Sequence, residues 1–251
     1  MDMPETNNIE EQTTGTDTSK SIAVNADIAT SFTFASHQNA IPVIRSITVE
    51  NDSDQLLENC QLELTSSPAF LRAKTWNIDR LFPGDKLPLT DRKVDLDPHY
   101  LSGLNEAERG EIRLRLTANQ NTLLEEHLPI RLLARDEWGG VADMAELLPA
   151  FVMPNDPGIP PVLRAAAERL VAHGHSGGLD GYQSGKPERA YILTAAIYSA
   201  VAGLRLHYSE PPASFEMRGQ KVRRPSVVCE EKLATCLDSS GNPPIFSTRQ
   251  K

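Results

Sequence analysis

The sequence predicts an α+β chain, with an antiparallel β-sandwich over residues 21–135 and a mainly helical segment from residue 154 onward. Three observations carry this. Between Ser21 and Arg135, apolar and polar residues alternate in short runs, the period of a strand with one buried face. Turn residues separate those runs at regular intervals: Asn51-Asp52, Ser66-Ser67-Pro68, Pro83-Gly84-Asp85 and Asn119-Gln120-Asn121. Beyond Pro154 the apolar spacing changes to that of a helix.

The opening stretch, residues 1–20, is polar and acidic with almost no large apolar side chain, so it is expected to be a disordered leader. IAVNADIATSFTF then opens the strands. VIRSITVEN follows, with Val43, Arg45, Ile47 and Val49 read on one face. CQLELTS places Leu62 and Leu64 inward, KTWNID is organised around Trp76, and LFPGDKLPL turns at Pro83-Gly84. KVDLD, EIRLRLTAN and LLEEHLPIRLLAR complete about seven short strands, a number and spacing that fit two packed antiparallel sheets. LNEAERG reads as one helical turn crossing an end. With no Cys–Trp–Cys spacing, the expectation is an immunoglobulin-like sandwich in architecture only.

Residues 136–153 form a connector in which Trp138, before Gly139-Gly140, is placed to plug a junction. The segment from 154 to 238 is helical. Asn155 or Asp156 is a good N-cap, and Ile159, Val162, Leu163, Ala166, Leu170 and Val171 make one apolar stripe that Gly174 ends. HSGGLDGYQSGKP invites a phosphate-loop reading, which its spacing defeats: Gly181 sits one residue too close to Gly185, and Pro187 stands where Ser or Thr is needed. It is a connector to a helix running to about Arg205, with Tyr191, Thr194, Ile197, Tyr198, Val201 and Leu204 on its core face. LHYSEPPASFE is extended and MRGQK a turn. PSVVCEEKLATCLD is a short helix, a bend near Ala234, and Cys236 at a new helix start; residues 239–251 are a disordered tail.

Composition excludes several functions. The 39% apolar and 24% charged residues are ordinary for a chain that buries a core. A net charge of −9 opposes a nucleic-acid surface, and the short cluster Arg218, Lys221, Arg223 and Arg224 reads as a solvated loop. The three cysteines, Cys60, Cys229 and Cys236, are odd in number and lack CxxC spacing, so neither a disulfide framework nor a metal site is expected, and no cofactor. With no apolar run of about 18 residues and a polar N-terminus, a cytoplasmic chain without membrane contact is expected.

The chemistry rests on Cys236. A helix N-terminus favours a thiolate over a thiol and so makes a better nucleophile. A buried structural cysteine is the plainer alternative. Tyr191-Ile192 through Ile197-Tyr198, then LHY, then KLATCLD are similar to the front half of the transglutaminase-like fold. More narrowly, LPIRLLARDEWGG, AFVMPNDP, LDGYQSG, PPASFE, GQKVR and TCLD resemble the N-terminal region of large bacterial proteins that carry superfamily-1 helicase and endonuclease-like parts. The resemblance covers Ser21 to Asp238 and implies that Cys236 occupies the nucleophile position, with Ala234 where Gly is usual.

That fold also implies a His base downstream, oriented by an Asp. All six histidines, His37, His99, His127, His173, His175 and His207, lie upstream of Cys236, and SSGNPPIFSTRQK has no helix-forming pattern. The chain therefore reads as the front of a larger architecture, truncated or frame-shifted after Asp238. The expected function is a non-catalytic interaction or regulatory module whose exposed helical face takes a protein partner, with no role for nucleic acid in this chain alone. The alternative is a Cys236-dependent acyl-transfer enzyme of the protease or amidase class, borrowing His173, His175 or His207. Because the sheet that should cover them is missing, the 159–172 and 188–205 helices are expected to lack a complete partner.

Overall fold

The computed structural model describes residues 22–240. The leader 1–20, and the tail from residue 241, lie outside the described residues. In chain order the elements are β1 (Ile22–Ile28), β2 (Ser31–Phe32), α1 (Phe34–Gln38), β3 (Ile44–Asn51), β4 (Leu57–Ser67), β5 (Lys74–Leu81), β6 (Lys86–Pro88), α2 (Pro98–Gly103), β7 (Glu108–Ala118), β8 (Asn121–Leu132), β9 (Glu137–Trp138) and α3 (Val141–Met144). Then come α4 (Ile159–Ala172), α5 (Pro187–Gly203), β10 (His207–Tyr208), α6 (Phe215–Arg218), β11 (Gln220–Lys221), α7 (Pro225–Glu231), β12 (Leu233–Ala234) and α8 (Cys236–Ser240). The protein is mixed α and β with several sheets. Among the described residues no helix is long and apolar enough to cross a membrane.

Two sheets share the main core. One has the order β2-β8-β7-β4-β5 and the other β1-β3-β6. Alternation dictates the inner face: Leu62 pairs with Leu116 and Leu64 with Leu114, and all four are fully buried. Each such side chain contributes about 1.5–3 kcal/mol through removal from water. The residues between them point outward, where His127 meets Glu111 at 3.1 Å and Arg113 meets Glu125 at 3.7 Å across the strands. β7 and β8 are joined by Asn119 and Gln120 with φ of 46° and 68°. Both lie in the left-handed region, as a two-residue hairpin loop needs to match the strand twist.

Four expectations shift here. The run through Phe34 breaks after Ile28, because Thr33 begins α1 in a capping box with Ser36. A bulge at Arg45 sets Ile28 opposite Ile44 and Asp27 opposite Ser46, so Val43 and Ile44 are both buried and Arg45 is not. KVDLD makes only the single bridge Leu71–Leu96, because its neighbour Phe70–Arg72 is not itself a strand. The helical turn is α2 rather than LNEAERG: Asp97 Oδ1 accepts from His99 N at 2.9 Å and Tyr100 N at 3.0 Å, with Pro98 in the first turn.

The helices close on each other. Ile159, Val162, Ala166 and Leu170 of α4 bury against Leu193, Ala196, Ile197 and Ala200 of α5, so the expected unpartnered faces are absent. Val171 falls off the stripe and is exposed. α5 is rotated from its expected face, with Tyr191 77% and Tyr198 62% exposed, while Val201 and Leu204 are half-buried. Small Ala166, Ala196 and Ala200 permit close helix approach, which leaves both tyrosine rings on the exposed side. Gly174 (φ 76°) ends α4 with paired bonds from Gly174 N to the Val171 carbonyl and from His175 N to the Leu170 carbonyl, a Schellman motif.

A third cluster forms the junction. Trp138 packs there with Leu133, Leu147, Phe151 and Val222, and its Nε1 donates to the Met144 carbonyl at 2.7 Å. β9 pairs antiparallel with β11, tying the sheets to the C-terminal part. The expected plug is therefore a buried indole at this seam.

Candidate functional site

The segment after α5 is assembled from one-turn helices and two-residue strands, so each side chain near Cys236 is placed by polar bonds rather than by a long element. β10 and β12 pair in parallel, Tyr208 beside Ala234 and His207 beside Leu233. The expected bend near Ala234 is instead at Lys232, the left-handed C-cap of α7 (φ 57°), and Ala234 is a buried strand residue.

Thr235 and Asp238 then fix the start of α8. Thr235 N donates to Asp238 Oδ2 at 2.8 Å, and Asp238 N donates to Thr235 Oγ1 at 3.2 Å, a reciprocal capping box. The Asp238 side chain is wholly buried and also accepts from Arg223 N at 2.7 Å and Arg223 Nη1 at 3.0 Å. Residues 239 and 240, expected in the tail, belong to α8. The basic cluster is thus not one solvated loop: Arg223 holds Asp238, Lys221 in β11 pairs with Glu106, and only Arg218 and Arg224 are exposed.

Cys236 is the first residue of α8 and is exposed, unlike buried Cys60 and half-buried Cys229. The buried-cysteine reading fails for it. Its Sγ–H lies 3.9 Å from the Tyr208 hydroxyl oxygen. The phenol of Tyr208 is pushed above its ordinary value by the hydrogen bond with Cys236, by burial and by the charges of Cys236 and Glu210. Burial pushes the thiols of Cys60 and Cys229 up.

Two of the histidines stand on other elements. His127 is on the outer sheet face, and the Nδ1 of His173 is 2.8 Å from the Arg169 carbonyl at the end of α4. His207 is exposed on β10 next to Tyr208, and strand alternation sends the two side chains to opposite faces. The tyrosine, which enters the sequence reading only as part of LHY and with no role given to it, takes the face toward Cys236. Its signal was weak, because a two-residue strand has no periodicity.

Beside this site a groove of about 1030 Å³ runs along the seam, lined among others by Glu210, Arg218, Gln220, Lys221 and Thr235. Gln220 is 4% exposed, and its Nε2 donates to Thr235 Oγ1 at 3.5 Å. The glycine-rich loop closes over an arginine instead of a phosphate. Arg189 donates to the carbonyls of Ser176 and Gly178 and, at 3.0 Å, to Asp180, whose carboxyl it lowers below the ordinary value. Among the described residues no group of His, Cys, Asp and Glu is arranged to hold a metal.

No protein-family model matches the chain, and no curated protein matches it.

Proposed function

We propose that the chain is a non-catalytic interaction or regulatory module, the front part of an architecture similar to the N-terminal region of bacterial helicase-type proteins. The two sheets around one core support an immunoglobulin-like sandwich over residues 21–135. The succession of α5, β10 and α8 supports a transglutaminase-like front half ending at the Cys236 helix.

The observation that carries the interaction reading is an exposed aromatic face on α5. Exposed Tyr191 and Tyr198, seven residues apart on one face of α5, supply an aromatic surface of the kind enriched where proteins meet. The test is turnover: purified protein should neither hydrolyse ATP nor cleave peptide or amide substrates. Cleavage that disappears in Cys236→Ala would replace this reading with the acyl-transfer enzyme, which the exposure of Cys236 at a helix start favours.

A further inference from the structure

A helix on a protein surface ordinarily shows water a charged face, and α5 does not. From Ala190 to Leu204 the chain carries no charged side chain, although only the side with Leu193, Ala196, Ile197 and Ala200 is buried against α4. The opposite side exposes Tyr191, Ala195, Tyr198 and Ala202. Their steps of four, three and four residues are those of a coiled-coil seam, the kind of face that a second helix covers.

The two ends of that stripe carry opposite charge. Glu188 lies three residues before Tyr191 on the same face, and Arg205 follows Ala202, its N–H bonded to the Ala202 carbonyl at 3.2 Å. Both side chains are exposed, and among the described residues neither has an ion-pair partner. Arg189, the cation inside the helix, is held by Asp180 and by the loop before it. Laid antiparallel on a second copy about a two-fold axis, with Ala195 opposite the partner's Tyr198, the stripe matches itself along its length. Tyr191 then meets the partner's Ala202, so each ring fills the space above a small residue, and Glu188 meets the partner's Arg205 at both ends. The parallel arrangement would set like charge on like charge and ring on ring.

We propose, resting on the interaction reading above, that the partner taken by the α5 face is a second copy of this chain, docked as an antiparallel α5–α5 pair. The seam of a single helix about 25 Å long buries less than the roughly 1,200 Å² of a stable interface. The pair is therefore transient, with a Kd on the order of 10–100 µM.

The experiment is sedimentation velocity of the full-length chain at low salt, from about 5 to 500 µM. The wild type should pass reversibly from monomer to dimer across that range. Glu188→Arg and Arg205→Glu each set like charges together at both ends of the pair, so either variant alone should associate about tenfold more weakly. Mixed in equal amounts, the two should pair with each other as tightly as the wild type does, because each supplies the charge that the other lacks. Both substituted positions are exposed, and recovery in the mixture shows that both variants are folded. A wild type monomeric at every concentration overturns self-pairing. So does a dimer that both reversals leave unchanged, or a mixture that associates no more tightly than its components. None of these outcomes touches the interaction reading, which fails instead on Cys236-dependent turnover, so the two failures are distinguishable.

Discussion

Asp156 and Ser226 are seventy positions apart, yet the carboxylate of one binds the first turn of the helix that holds the other. Asp156 Oδ1 accepts from Ser226 N at 2.7 Å and from Gly158 N at 2.8 Å, and its Oδ2 accepts from Ser226 Oγ at 3.1 Å. One side chain, 8% exposed, therefore ties the entrance of α4 to that of α7. The chain passes so close there that a Cβ on Gly158 would lie 2.5 Å from the Pro225 carbonyl carbon.

Asp156→Ala should consequently destabilise the helical part by about 2–4 kcal/mol, since it strands buried donors at two helix starts. Urea unfolding followed by far-ultraviolet dichroism checks this. A loss under 0.5 kcal/mol, the scale of an ordinary surface change, would show that water replaces the carboxylate.

Thiol labelling should separate the three cysteines. Cys236 is exposed, whereas Cys60 is buried within the sheets and Cys229 packs beside the α4–α5 cluster. Iodoacetamide on the native protein should modify Cys236 first, with Cys60 reacting only on unfolding. Mass spectrometry of timed samples checks the order. Tyr208→Phe, which removes the hydroxyl that meets the sulfur, should change the Cys236 rate and leave the other two unchanged.

The loop between α4 and α5 should be held shut by Arg189. Its side chain, 15% exposed, gathers Ser176, Gly178 and Asp180 together. Arg189→Gln removes the charged contacts, worth about 1–2 kcal/mol of local protection, so native-state cleavage by a broad-specificity protease should rise roughly 5- to 30-fold within residues 176–186. The sheets, with the larger shared core, should stay intact under the same digestion.

These contacts mark where the sequence is legible. The inner faces of β4 and β7 are readable because Leu62, Leu64, Leu114 and Leu116 alternate with charged or amide side chains, and only one face of such a strand can be buried. Gly174 as a helix stop and Trp138 as the junction indole follow from chemistry that few other positions satisfy. The rotation of α5 does not follow: apolar residues surround it, so Tyr191 and Tyr198 could be assigned inward until α4 is known to choose Ala196 and Ala200. The start of α8 at Cys236 is written in Thr235 and Asp238, a capping pair visible at its spacing. What faces the thiol is not, because β10 brings Tyr208 across from twenty-eight residues upstream. Asp156–Ser226 has no local signature at all.

His127 gives a pH-dependent handle on the outer sheet face. Its ring is raised above the ordinary histidine value, first by the hydrogen bond to Glu111, opposed by burial, and then aided by the charges of Glu111 and Glu125. A group whose folded value lies above its unfolded one adds stability that is full below about pH 6.5 and fades as pH rises through the folded value. A proton NMR titration should give His127 a midpoint above about 6.5. Glu111→Gln should bring it down toward that value, and 1 M salt should shrink the difference, because the pair is exposed.

Gly219 is the position where the seam between β9 and β11 should be most fragile. Its φ is 88°, and a Cβ there would sit 1.8 Å from the Trp138 carbonyl oxygen and 2.7 Å from the Gly139 Cα. Both contacts are backbone, so no side chain can swing aside, and an L-residue is also strained at that φ. Gly219→Ala must therefore push β11 off β9. The pairs Gln220–Trp138 and Lys221–Glu137 would open, and Val222 would be drawn from the cluster around Trp138. The cost should be about 2–4 kcal/mol, more than overpacking alone, because strain, lost ladder bonds and lost burial add. It should also be local: the sheet core excludes this seam, so the sheets should keep their own transition while Trp138 becomes wet. Urea unfolding read by indole fluorescence should then separate into two steps, with the first, red-shifting step absent from the wild type. A single transition at the wild-type midpoint would mean that the chain tolerates a methyl group where the geometry leaves no room for one.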